Sequence, residues 1–154
     1  MTLTIEELIA LIEGLWKLVQ QARHPPAAVG VYVGGNLLGT ITANRKAQFM
    51  ATLNVGHGTE ISIRFLDQHG NPMLVTPVVD APPIWTDAPN PAGDAVLTVA
   101  PDAMTATLDA KAVGTDVVSI ALKSGGKDFS ASISFTITEE PQVLTSIELV
   151  SAVP

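Results

Sequence analysis

The sequence predicts a mainly β protein: an N-terminal α-helix, a small β-hairpin region, then an antiparallel β-sandwich. Three observations carry that expectation. Residues 1–24 hold one capped apolar helix pattern stopped by Pro25-Pro26, the remainder breaks into short alternating segments punctuated by Gly, Pro, Asn and Asp, and those segments recur at the spacing of sandwich strands. With 154 residues, 47% of them apolar, the chain can build a substantial core. It has no cysteine, so packing alone must hold the sheets, and neither a disulfide framework nor a thiolate metal site is available.

The helix has a mechanism at each end. Thr4 can accept a hydrogen bond from the Glu7 amide while Glu7 reaches back to the Thr4 amide, and Leu3 can pack on Leu8, so the helix starts at Ile5. Arg23 and His24 suit the carbonyl end, and Pro25-Pro26 forbids continuation, so it stops near residue 24. Ile5, Leu8, Ile12, Leu15, Val19 and Ala22 follow the alternating three- and four-residue spacing of a coiled-coil seam. Ile9, Leu11, Trp16 and Leu18 widen that stripe, leaving Glu6, Glu13, Lys17 and Gln20, with Glu7 and Gln21 beside them, as the polar face. Gly14 costs about 1 kcal/mol in a helix interior and permits a close approach there. Two arrangements fit: the helix packs on its own sheet, or it meets copies of itself or another protein through an assembly face of Ile5, Leu8, Ile12, Leu15, Trp16 and Val19. The apolar run Leu8 to Ile12 is far short of the roughly 20 residues that cross a bilayer, so no membrane span is expected. Glu6, Glu7 and Glu13 stand where a secretory signal carries bases, and no clean cleavage site follows, so the expectation is mature protein without a signal peptide.

After the prolines, Val29 to Val33 is closed by Gly34-Gly35-Asn36, and the runs Leu37 to Ala43 and Ala47 to Val55 flank Asn44-Arg45-Lys46 as the arms of a hairpin. Phe49, Ala51, Leu53 and Val55 form the apolar face of its second arm. Residues 1–58 are therefore expected to form a helix-plus-hairpin docking region, and residues 59–154 the sandwich. A second sheet should begin at Thr59, with Ile61, Ile63 and Phe65 on one face and the turn Asp67-Gln68-His69-Gly70-Asn71-Pro72 after it. Pro77, Pro82, Pro83, Pro89 and Pro91 limit any strand around Trp85 to an edge or to short pieces. Further strands are expected at Ala95 to Val99, Met104 to Val113, Asp116 to Leu122 and Asp128 to Thr138. The clearest alternation puts Phe129, Ala131, Ile133, Phe135 and Ile137 on one face.

Charge and motif content narrow the function. The net charge is −7, but residues 29–59 carry Arg45 and Lys46 with no acid, while residues 60–154 hold twelve acids against four bases, a net of −8. That sign repels phosphate backbones, and Arg45-Lys46 is too small a patch to reverse it, so no nucleic-acid partner is expected. His24, His57 and His69 show no metal-ligand spacing. Asp67 and Asp80 fall near His69 in sequence, but aspartates at strand ends usually serve turns. No Gly-x-Ser-x-Gly elbow exists, and neither Gly56-His57-Gly58 nor Ser124-Gly125-Gly126-Lys127 has the form of a phosphate loop. The chain is expected to be no enzyme, with no catalytic, cofactor-binding or metal residue and no cofactor.

The order Ile61-Ser-Ile-Arg-Phe-Leu-Asp-Gln-His-Gly-Asn-Pro72, Ile84-Trp85-Thr86, Ala112-Val-Gly-Thr-Asp-Val-Val-Ser-Ile120 and Phe129 to Ile137 resembles bacterial immunoglobulin-like (Big) domains over about residues 60–140. It departs from them at Asp87-Ala-Pro-Asn-Pro-Ala-Gly-Asp94, where the family has a small-residue segment. The resemblance implies an Ig-like antiparallel sandwich whose residues serve packing and turns, with Trp85 in the core between the sheets. Such domains occur in exported adhesins and in tailed-phage particles. With no signal peptide expected, the resemblance implies a structural protein of a bacteriophage virion, a capsid decoration or tail-associated protein. It would be assembled in the host cytoplasm, with other virion proteins and copies of itself as partners. The alternative is a carbohydrate- or receptor-binding bacterial surface module that uses Trp85 as its platform.

Overall fold

The computed structural model describes residues 2–23, 25–90 and 94–142. Its helix α1 spans Ile5–Arg23. The Thr4 amide donates to Glu7 Oε2 at 2.8 Å and the Glu7 amide donates to Thr4 Oγ1 at 3.2 Å, so the capping box forms and the helix begins at the expected residue. His24, expected in the last turn, lies outside the described residues.

Among the described residues nine strands follow: β1 Ala28–Val33, β2 Asn36–Thr42, β3 Lys46–Asn54, β4 Gly58–Leu66, β5 Ala81–Asn90, β6 Ala95–Val99, β7 Thr105–Ala110, β8 Gly114–Ser124 and β9 Lys127–Thr138. They form a five-stranded sheet in the order β2-β1-β4-β7-β6 and a four-stranded sheet in the order β3-β9-β8-β5. Without β2 and β3, those orders are the A-B-E-D and C-F-G sheets of an immunoglobulin sandwich. Gly34 and Gly35, at φ 57° and 82°, make the two-residue turn joining β1 to β2, where a side chain would be strained at both positions.

Alternation decides which faces meet. Val29 and Val31 of β1, Ile61, Ile63 and Phe65 of β4, and Leu108 and Ala110 of β7 face inward from one sheet. Val118, Ile120 and Leu122 of β8 and Phe129, Ala131, Ile133, Phe135 and Ile137 of β9 face them from the other. All five β9 residues are 1% exposed or less, as the serine-alternating pattern anticipated. The proline-rich strand β5 takes an edge, pairing only with β8, so its missing amides interrupt no second ladder.

The structure corrects three expectations in the N-terminal half. β2 and β3 are not arms of a hairpin: β2 pairs antiparallel with β1, while β3 crosses to the other sheet and pairs parallel with β9 from Lys46↔Ser130 to Asn54↔Thr138. Asn44 anchors that crossing. Its amide donates to the Asp128 carbonyl at 2.7 Å, and its Oδ1 accepts from the Asp128 amide at 3.1 Å. Arg45 and Lys46 are thus exposed at a corner between sheets rather than at a hairpin tip. No second sheet begins at Thr59 either, because β4 pairs with β1 from Val33↔Ile61 to Ala28↔Leu66. The division expected between residues 58 and 59 accordingly cuts through the sandwich, whose buried core includes Val29, Val31 and Ile41. The change of structural character falls instead at the prolines, where Pro26 is buried and the Ala27 amide donates to the Leu66 carbonyl at 3.0 Å.

Candidate functional site

The apolar face of α1 is built and left uncovered. Ile5 is 77% exposed, Ile12 56%, Leu15 54% and Trp16 60%, and Leu8 and Val19 are also exposed. Ile9, Leu11 and Leu18 join them, and no described side chain of α1 belongs to the core cluster. Scattered exposed leucines are ordinary, but a continuous stripe along 19 helical residues is the kind of surface that another body covers. Of the two arrangements the sequence left open, the described residues do not show the helix packed on its own sheet. No described helix is long and apolar enough to cross a membrane.

Trp85 is a packing residue. It is partly buried against the core, and its indole Nε1 donates to the Ala103 carbonyl at 2.8 Å. That bond ties β5 to the turn between β6 and β7, where Ala103 holds a positive φ of 57°. A stacking platform for a sugar needs an open aromatic face, which this arrangement does not favour.

His57 sits in the turn between β3 and β4, 3.5 Å from Glu140, with both side chains exposed. His69 lies in the turn after β4, where Asp67 Oδ1 accepts from the amides of His69 at 2.8 Å and Asn71 at 2.9 Å. Those amides, Asn71 first, hold the Asp67 carboxyl below its usual range, so Asp67 organises its own turn. Asp80 accepts from the Gly126 amide at 2.7 Å and fastens the turn between β8 and β9, well away from any partnership with Asp67. Among the described residues, no three acidic or histidine side chains converge to hold a metal ion.

One polar group went unnoticed in the sequence. Asp116 of β8 is fully buried, and no well-formed hydrogen bond reaches either of its carboxylate oxygens. Asp87 of β5 lies within hydrogen-bonding reach, and its Oδ1 is likewise buried without a partner. Asp94, ahead of β6, is 8% exposed and packs against the bare Cα of Gly114. Burial first, then the close approach and charge of Asp87, and last the charge of Asp94 push the Asp116 carboxyl up to about 6, against the opposing pull of the Val117 amide. A signal was present: Asp116 shares the two-residue period of Val118, Ile120 and Leu122, which marks it as inward-facing, and Asp87 shares that of Trp85.

Strand order and core together define an immunoglobulin-like β-sandwich preceded by an apolar helix. No protein-family model and no curated protein matches the chain. Among solved structures it is similar to domains 4–9 of the surface-layer protein SbsC, at 19% identity over 69% of this chain and 15% of that one, with a TM-score of 0.40. It is also similar to the S-layer protein rSbsC(31-844), at 20% identity over 69% and 14%, TM-score 0.40. A third likeness is to the Titin M10-Obscurin like 1 Ig complex, at 12% identity over 66% and 97%, TM-score 0.31. The chain thus spans about one seventh of the S-layer chains it matches.

Proposed function

We propose that this chain is a non-enzymatic structural protein of a bacteriophage virion, a capsid decoration or tail-associated protein of Big type, in which α1 assembles and the acidic sandwich faces solvent. The observation that carries the assembly role is the uncovered face of α1 beside a sandwich that completes its core without it. The phage assignment is finer and rests on the resemblance to Big domains. The sequence places Glu6, Glu13 and Gln20 at b positions, Glu7 and Gln21 at c positions and Lys17 at f of the heptad whose a and d positions are Ile5, Leu8, Ile12, Leu15 and Val19. Copies of α1 can therefore join through the seam without burying any of those charges. The same polar face carries three glutamates against one lysine between residues 6 and 21, the wrong sign for an anionic membrane surface. The tethered Trp85 gives the alternative, a glycan-binding surface module, no support.

The proposal is tested on particles. Mass spectrometry of virions purified from the phage that encodes the chain should detect it in amounts comparable with the capsid or tail proteins. Its absence from purified particles, with normal expression in the infected host, would reject the virion role.

A further inference from the structure

We propose that Asp87 and Asp116 share a single proton and together act as a pH-sensitive latch, fastening edge strand β5 to β8 in acid and loosening it in alkali. The geometry is that of a carboxyl pair. Three carboxylate oxygens, both of Asp116 and Oδ1 of Asp87, are buried without a well-formed hydrogen bond. The Val117 amide favours the charged form of Asp116, but burial and the neighbouring acids outweigh it, and two carboxylates this close and this desolvated cannot both remain ionised cheaply. A proton held between them supplies the missing donor and removes one charge at once.

The surroundings favour a proton over other neutralising partners. The charged groups facing Asp116 are Asp87 from β5 and Asp94 from the segment entering β6, both acidic. Across the ladder on the other side, β9 offers Phe135 opposite Asp116. Lys111 is nearby in chain terms, its amide donating to the Asp94 carbonyl at 2.7 Å, but the residue is exposed and forms no ion pair with the three acids. Among the described residues, no trio of side chains is arranged for a metal.

Position gives the pair its consequence. β5 is an edge strand held on one side only, and Pro82, Pro83 and Pro89 deprive it of amides, so its attachment to β8 is weaker than that of a central strand. The pair sits at the end of β5 where Asp87 lies opposite Val118 and Pro89 lies opposite Asp116. Charging both carboxyls therefore acts on the least anchored part of the sheet.

The sign follows from the raised affinity for the proton. A carboxyl that holds its proton more tightly when folded stabilises the fold fully below the ordinary carboxyl range near 3.9, and loses that contribution as pH rises through about 6. Urea unfolding of the native chain and of Asp116→Asn, at pH 4.5, 6 and 7.5, reads the effect as the difference between the two. The native folding constant should fall relative to Asp116→Asn by roughly 25-fold between pH 4.5 and 7.5, since each pH unit between the starting pH and the folded-state value near 6 is worth about tenfold. Carboxyl-carbon NMR of the native chain, which needs no variant to fold, should show the Asp116 carboxyl titrating near 6. A constant difference between the chains, or an Asp116 carboxyl titrating in the ordinary range near 3.9, would overturn the latch. So would millimolar calcium at pH 7.5 that stabilises the native chain and not Asp116→Asn, since the pair would then be a cation site.

Discussion

Shortening the chain at two points distinguishes a sandwich that starts at the prolines from one that starts at residue 59. A chain beginning at residue 27 loses α1, none of whose described side chains joins the core, and should keep its cooperative unfolding. A chain beginning at residue 59 loses Val29, Val31 and Ile41, each 0% exposed. Burying one such side chain contributes about 1.5–3 kcal/mol, so the three together are worth about 5–9 kcal/mol. That is comparable with the whole net stability of a small domain, roughly 5–15 kcal/mol. It also strips β3 from β9 along nine paired residues, leaving the most regular strand of the sheet as a bare edge. Both shortened chains retain Trp85 as their sole tryptophan, so its fluorescence during urea unfolding reports the sandwich alone. The chain from residue 27 should show one sigmoidal transition, and the chain from residue 59 should show none or aggregate. Equal midpoints for the two would refute the assignment of β1 to β3 to the sandwich core.

Trp85→Phe removes the donor to the Ala103 carbonyl while keeping most of the ring, and should lower the urea-derived stability by about 1–2 kcal/mol. Ile12→Asp with Leu15→Asp places two charges on residues 56% and 54% exposed in the single chain, and should leave the unfolding midpoint of the sandwich unchanged.

Local chemistry was legible wherever it decided the outcome. The Thr4–Glu7 box sets the start of α1, alternation fixes the inward face of β9, and the prolines confine β5 to an edge. Pairing between distant segments was not legible. Two apolar runs around Asn44-Arg45-Lys46 look the same for a hairpin and for a corner between sheets, and the choice is made by Asp128, 84 residues further on. The Asp87–Asp116 pair was hidden for a related reason. Each aspartate alone resembles a strand-end turn residue, and only the β5–β8 register brings the two together. The uncovered face of α1 was readable as an apolar stripe, but its lack of cover became apparent only once the core was seen to be complete without it.

The central claim is that a self-sufficient sandwich is carried on a helix whose exposed face associates copies of the chain. About half the surface of Ile12 and of Leu15 remains to be covered, worth about 1 kcal/mol each on association, with the rest of the seam adding similar amounts. Light scattering at micromolar concentration compares the native chain with Ile12→Asp, Leu15→Asp. The native chain should have a mass that is a multiple of 16.1 kDa, and the variant should return to 16.1 kDa with its sandwich folded. A native chain of 16.1 kDa, or a variant with the same multiple as the native chain, would contradict the claim.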